Sequence, residues 1–282
     1  DTVRKPYYDL NKKFFAFVND NTNLFACLRP YAEVGIVFDD LAAKSDQGEA
    51  LDLTIALAGR GITYDVLTEE RISKKNFDRF KVLIYHDVGK ISNNEAGLLL
   101  DFMTQGGVVI AVGDIGKYDS LYHLRAFTSN SIWPPVKFGG GQVVPQSVGS
   151  GKYIYVPAGF TNITDVTSWI TDRLGRSPGM FPTLSGEALS RMRAAVWAGQ
   201  KRVVVHLVNY NAPLGLNNGN QVATLENLEV KIKLPDNFKP SKVNIYSPEA
   251  TSTVVASLKE NSDGTTSFVV PKMRIYSIAE IK

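Results

Sequence analysis

The chain changes character once, between Leu174 and Leu189, and that change limits its fold more than any other feature. Before it, strand-sized apolar runs alternate with amphipathic helical stretches. After it, every patterned segment is a short strand bounded by turn residues. Val34–Phe38, Thr63–Leu67, Phe80–Tyr85 and Val108–Val112 are the strands of the first part. Between them, Gly48–Arg60 carries Ala50, Leu53, Leu57 and Ala58 on one helical face, with Gly61 as C-cap. Ser92 caps a helix over Asn93–Gln105, Glu95 completes a capping box, and Gly106-Gly107 stop it. Phe80–Tyr85 and Val108–Val112 are continuously apolar, as in parallel strands covered on both faces. Such repeats with short links predict right-handed crossovers and a Rossmann- or flavodoxin-like parallel sheet. Gln142–Val148 and Lys152–Val156 add two strands around a Gly149–Gly151 turn, Thr161–Leu174 is a last helix, and Arg176–Pro182 is a linker.

From Leu189 onward seven strands are expected: Met192–Ala198, Val203–Val208, Leu228–Leu234, Lys242–Tyr246, Thr253–Leu258, Thr266–Val270 and Ile275–Ile281. The segments AGQK, LGLNNGN, PDNFKP, SPEA and NSDG between them are turns by their chemistry, so this part is a small antiparallel β-sandwich. In Arg202–Asn211, RVVVHLVNYN, polar Asn209-Tyr210-Asn211 close a strand by bonding the backbone. At the other end Pro6–Leu28 reads as an amphipathic helix whose Phe14, Phe15 and Phe17 must pack on something: the chain's own α/β domain, or a barrel preceding it. The expected division is 1–30 helical segment, 31–182 α/β domain and 183–282 β-sandwich.

Composition is that of a globular protein, 44% apolar and 21% charged. A net charge of +3 with interleaved signs gives no nucleic-acid footprint. No run approaches the roughly 18 apolar residues that span a bilayer. Cys27 is the single cysteine, which leaves neither a disulfide framework nor a cysteine metal site. The chain opens at Asp1 without Met and without a signal peptide, as a processed or excised chain would, which leans toward an extracellular origin.

Asp39, Asp40, Asp87 and Asp114 fall just beyond the carboxyl ends of parallel strands, where α/β sheets place ligands. They would accept from sugar hydroxyls or hold a cation, or else cap the helix or turn that follows. His86 has the same address, whereas His206 alternates with Val205 and Leu207 and points outward or to a satisfied partner. The three histidines lack metal-ligand spacing, so no metal is expected. GSGK at Gly149–Lys152 leads into a strand and is a hairpin turn rather than a phosphate loop, and the dinucleotide fingerprint is missing after the first strand, so no cofactor is expected. The aromatic segment Tyr118–Phe138, with Tyr122 and Trp133, suits a sugar ring, a neighbouring subunit or plain loop packing.

VGIVFDD, FDRFKVLIYHDV and LLLDFMTQGGVVIAVGDIG together resemble the class I glutamine-amidotransferase-like fold, which β-galactosidases of the barrel clan carry as a middle, trimer-forming domain. VVVHLVNYN, EVKIKLP and MRIYSIAEIK resemble the β-sandwich that ends many of those hydrolases. The resemblance implies a nucleophilic cysteine after the strand Val108–Val112, yet this chain has Gly113-Asp114-Ile115-Gly116 there, with no Cys, Ser or Thr. It also implies catalytic glutamates on a barrel, upstream of everything present here. The expectation is therefore a non-catalytic C-terminal portion of a family 42-like glycoside hydrolase. Its partners would be a catalytic barrel and further copies of itself. A carbohydrate-binding module and a small independent hydrolase using Asp39, Asp87 or His86 are the alternatives.

Overall fold

A computed structural model describes residues 5–38, 53–58, 61–68, 71–113, 115–124, 144–157, 163–174, 192–210 and 222–282. The chain divides into two compact units, an α/β unit over Ala32–Leu57 and Tyr64–Ser177 and a β unit made of Asp1–Tyr31, Ala58–Thr63 and Pro178–Lys282. Two N-terminal elements belong to the β unit: helix α1 (Lys5–Asp20) and the two-residue strand β1 (Arg29–Pro30).

The α/β unit is built from β2 (Val34–Phe38), a helical turn α2 (53–58), β3 (Tyr64–Leu67), α3 (Lys74–Phe77), β4 (Val82–His86), α4 (Asn93–Thr104), β5 (Val108–Val112), β6 (Val144–Val148), β7 (Gly151–Val156) and α5 (Ile163–Leu174). Its sheet runs β3-β2-β4-β5-β7-β6, parallel throughout except for β6, which turns back antiparallel on β7. This is the order of a doubly wound open sheet, with the chain leaving β2 to one side and returning on the other. All five residues of β4 and all five of β5 are buried, as the apolar runs Val82–Tyr85 and Val108–Val112 require, with His86 buried at the end of β4. The Ser92 hydroxyl accepts from the Glu95 N–H at 3.1 Å and starts α4. The Glu95 carboxylate turns inward to take the Tyr85 hydroxyl at 2.9 Å. The β6–β7 loop has Gly149 and Ser150 at its tip, with Gly149 at φ +57°. Glycine at the first central position is what a tight two-residue hairpin of this hand needs.

The β unit continues with β8 (Met192–Ala198), β9 (Val203–Asn209), β10 (Leu225–Ile232), β11 (Val243–Tyr246), β12 (Val254–Ala256), β13 (Lys259–Glu260), β14 (Thr266–Met273) and β15 (Tyr276–Ile281). A sheet β1-β8-β9-β15-β11-β12 faces a sheet β10-β14-β13. The core between them joins Val203, Val205 and Leu207 of β9 to Leu228 and Val230 of β10 and Phe268 and Val270 of β14. The strand expected over Thr253–Leu258 is only β12, Val254–Ala256, and a second short strand just beyond it, β13, pairs in the other sheet. The strand expected from Leu228 starts earlier, at Leu225.

The placement of the N-terminal helix differs from expectation. The helix spans Lys5–Asp20 rather than reaching Leu28, because the polar run Asp20–Asn23 breaks it and the Asn21 amide donates to the Phe17 carbonyl at 2.8 Å. Its described contacts are with the sandwich rather than the α/β layer: Phe14 and Phe17 lie 6.3 Å from the Tyr276 ring. The physical reason lies in β9, whose outward Val204, beside Ile278 of β15, is apolar and needs cover. Leu24, Phe17 and Leu28 supply it. His206 shares that outer face and meets the Tyr276 hydroxyl at 2.6 Å and Phe25 at 5.6 Å between rings. Burial lowers its pKa.

Candidate functional site

The crevice of an open α/β sheet lies at the carboxyl ends of its strands, and here β4 ends there in His86-Asp87. His86 is buried, and its Nδ1 stands 3.1 Å from Asp87 Oδ2. Asp87 has φ +50°, a left-handed backbone that Asp tolerates better than most residues, and its N–H donates to the Val112 carbonyl at 2.8 Å. That turn lays the carboxylate over Gly113, so closely that a Cβ on Gly113 would overlap Asp87 Oδ1. The Gly113 N–H in turn donates to the Val156 carbonyl at 2.9 Å. Asp87 and Gly113 thereby interlock the ends of β4, β5 and β7.

The next loop is zipped to this one. The Gly116 N–H donates to the Val88 carbonyl at 2.8 Å, that of Tyr118 to Gly89 at 2.9 Å, and that of Ile91 back to Tyr118 at 3.1 Å. Asp119 then folds the chain on itself, its Oδ1 accepting from Leu121 N–H at 2.8 Å and His123 N–H at 2.9 Å. These bonds, the His123 N–H foremost, hold its carboxyl below the ordinary range. Tyr122 sits at φ +62°, with Lys90 Nζ 5.3 Å from its ring centroid. The result is an exposed apolar knuckle of Leu121, Tyr122 and Leu124.

The carboxyl rim therefore brings His86 and Asp87 together and places Tyr122 on the adjoining loop. Asp39, Asp40, Asp114 and Trp133 lie outside the described residues. An imidazole beside a half-exposed carboxylate can hold a proton or bond a hydroxyl. Hydrolysis of a glycosidic bond needs two carboxyl groups facing across it. At this rim the Asp119 carboxylate is taken by its own loop and that of Asp87 by His86. Among the described residues no group of three His, Cys, Asp or Glu is placed to hold a metal ion. No helix among them is long and apolar enough to cross a membrane.

Two cavities of the α/β unit open at the opposite, amino-terminal rim, with volumes of about 190 and 290 Å³, and Arg173 of α5 lines both. This rim carries almost no mark in the sequence. The one signal was Trp169 and Arg173, four apart and so on one face of the expected last helix.

No protein-family model matches the chain, and no curated protein matches it in sequence. Solved structures do match its fold. Alpha-L-fucosidase isoenzyme 2 from Paenibacillus thiaminolyticus aligns with a TM-score of 0.62 at 16% identity, over 95% of this chain and 51% of that one. A β-galactosidase from Bacillus circulans sp. alkalophilus gives 0.57 at 12%, over 91% and 42%. Gan42B, a GH42 β-galactosidase from G. stearothermophilus, gives 0.55 at 14%, over 90% and 41%. At such identities the likeness is one of fold. Nearly all of this chain is matched, and it spans about two fifths to one half of those enzymes' length.

Proposed function

We propose that this chain is the non-catalytic, C-terminal portion of a glycoside hydrolase of the β-galactosidase type. Its α/β unit is a degenerate amidotransferase-like scaffold that makes subunit or domain contacts. The observation that carries this reading is the coverage: nine tenths or more of the chain aligns with glycosidases, while about half or more of each glycosidase has no counterpart in it. The turn after β5 supports the scaffold role. Gly113-Asp114-Ile115-Gly116 offers no Cys, Ser or Thr, and the Asp87 carboxylate fills the space a side chain on Gly113 would need. The exposed Leu121, Tyr122 and Leu124 suit burial against another protein surface, since a cluster of large apolar side chains beside polar loops is a common interface core.

The test joins an assay to a mass measurement. The purified chain should leave aryl β-galactosides intact and should self-associate or bind a separately produced barrel domain, and Tyr122→Ser should weaken that association. Turnover of an aryl glycoside by the chain alone, abolished by Asp87→Asn or His86→Gln, would show it to be an independent hydrolase instead.

A further inference from the structure

At the amino-terminal rim of the α/β sheet, two glycines let separate segments meet with almost no space between backbones. Gly149 places its Cα where a Cβ would stand 2.6 Å from Thr104 Cα, and a Cβ on Gly151 would overlap the carbonyls of Met103 and Gly107. The Ser150 N–H donates to the Thr104 carbonyl at 3.3 Å and that of Lys152 to Gly107 at 3.1 Å. The hairpin turn is thus seated on the last turn of α4, and GSGK forms one wall of a groove. The last turn of α5 forms the other, with Trp169, Asp172 and Arg173. Arg173 lies between the two cavities, its guanidinium packed over Gly106 at 3.5 Å from where a Cβ would be.

Arg173 Nε is buried and has no hydrogen-bond partner among the described residues. A buried N–H that leaves water without gaining an acceptor is destabilising, so the groove favours a ligand that brings one. A water molecule supplies one acceptor but makes no use of the indole beside it. The larger cavity, about 290 Å³, is near the lower bound of small-molecule pockets at roughly 300 Å³ and suits a single ring. The smaller cavity extends it past Arg173 toward Asp101 and Gln105. The charged side chains lining the two cavities are of both signs, Lys74, Lys81, Lys152 and Arg173 against Asp78, Asp101 and Asp172. Mixed signs match hydroxyls, which both donate and accept, better than a ligand carrying several charges of one sign.

We propose that this groove binds a neutral saccharide of one or two rings. The ring's C–H face stacks on Trp169, Arg173 donates to a ring or hydroxyl oxygen, and Asp172 accepts from a hydroxyl. The proposed contacts come from α5 and the β6–β7 turn, and the proposal stands whether or not the chain is a subunit scaffold.

The test is calorimetry and tryptophan fluorescence on the full chain with lactose, cellobiose and maltose as probes and sodium sulfate as the anionic arm. At least one disaccharide should bind saturably. Arg173→Gln and Trp169→Ala should each weaken it about tenfold or more, while Trp133→Ala leaves it unchanged. Circular dichroism checks folding. If Trp169→Ala fails to fold, Arg173→Gln and Asp172→Asn carry the decision. The proposal is overturned if no disaccharide binds or if binding survives the groove substitutions. Loss with Trp133→Ala alone, or saturation by sulfate in place of sugar, overturns it as well.

Discussion

The Tyr85 hydroxyl donates to Glu95 Oε1 at 2.9 Å inside the α/β unit, joining the central strand β4 to the first turn of α4, with both side chains buried. A buried carboxylate is tolerable only while donors surround it. Tyr85→Phe removes one donor, and the unit should lose about 1–3 kcal/mol, read as a lower urea midpoint with an unchanged slope.

The same phenol makes the fold sensitive to alkali. Burial first, then the charge of Glu95, raises the Tyr85 pKa well above its ordinary value, and burial alone raises that of Tyr276 to about 12. A pKa higher in the folded state means that the unfolded chain loses its protons first. Stability should therefore hold up to about pH 10 and fall above it, toward pH 12 for Tyr276. Denaturant midpoints taken across that range, with phenolate absorbance beside them, check this. A flat profile would contradict the burial of both rings.

His206 works in the opposite direction. Its pKa is lowered by burial against Tyr276 and Phe25, so the unfolded chain takes up its proton first as pH falls. The β unit should lose stability as pH drops below about 6.5, the usual value for histidine, and His206→Gln should flatten that slope. The depressed carboxyl of Asp263, bonded chiefly to Lys231, adds acid sensitivity only at lower pH, below its ordinary 3.8.

Gly113 has no room for a side chain, and its φ of +76° is one that other residues adopt only under strain. Gly113→Ala should cost on the order of 3 kcal/mol from collision and backbone strain together. Adding Asp87→Gly should restore the collision part and leave the strain. A thermal-melt series of the two singles and the double mutant separates them.

Arg202 binds three things at once: Glu280 Oε1 at 3.4 Å, the Ala26 carbonyl at 2.9 Å and the Asn23 carbonyl. Glu280 is fully buried and keeps Lys282 at 2.9 Å and the Tyr246 hydroxyl at 3.1 Å, so removing Arg202 does not isolate it. Arg202→Ala should therefore cost about 2 kcal/mol, less than an orphaned buried charge. Its distinguishing effect should be easier proteolysis near residues 20–28, seen as early cleavage in a timed digest.

Local chemistry made much of the fold legible in the sequence. The apolar runs Val82–Tyr85 of β4 and Val108–Val112 of β5 have no other stable use than a covered sheet. Ser92 does what its position before α4 implied, and Asn209 closes β9 by donating to the carbonyls of Ala223 and Arg274 at 2.8 and 2.7 Å. Information held between distant segments was illegible. The start of β10 is hidden in the sequence because Glu226 and Asn227 break its apolar pattern, while its register is set by pairing with Lys272 and Met273 of β14. The seat of α1 depends on outward Val204 and Ile278, which carry no mark of which segment covers them. Of the candidate site, His86-Asp87 could be read from the end of a strand. The amino-rim groove could not, because its walls come from three separated stretches.

The glycine-seated turn between β6 and β7 has a mechanical consequence. Because Gly149 and Gly151 rest directly on the last turn of α4, neither hairpin nor helix can slide without the other. A push on the sheet's outer edge at β6 would be delivered along α4 to Ser92, at the opposite end of the molecule's central strands. The α/β unit should respond to load as a stiff lever and not as a stack of independent layers.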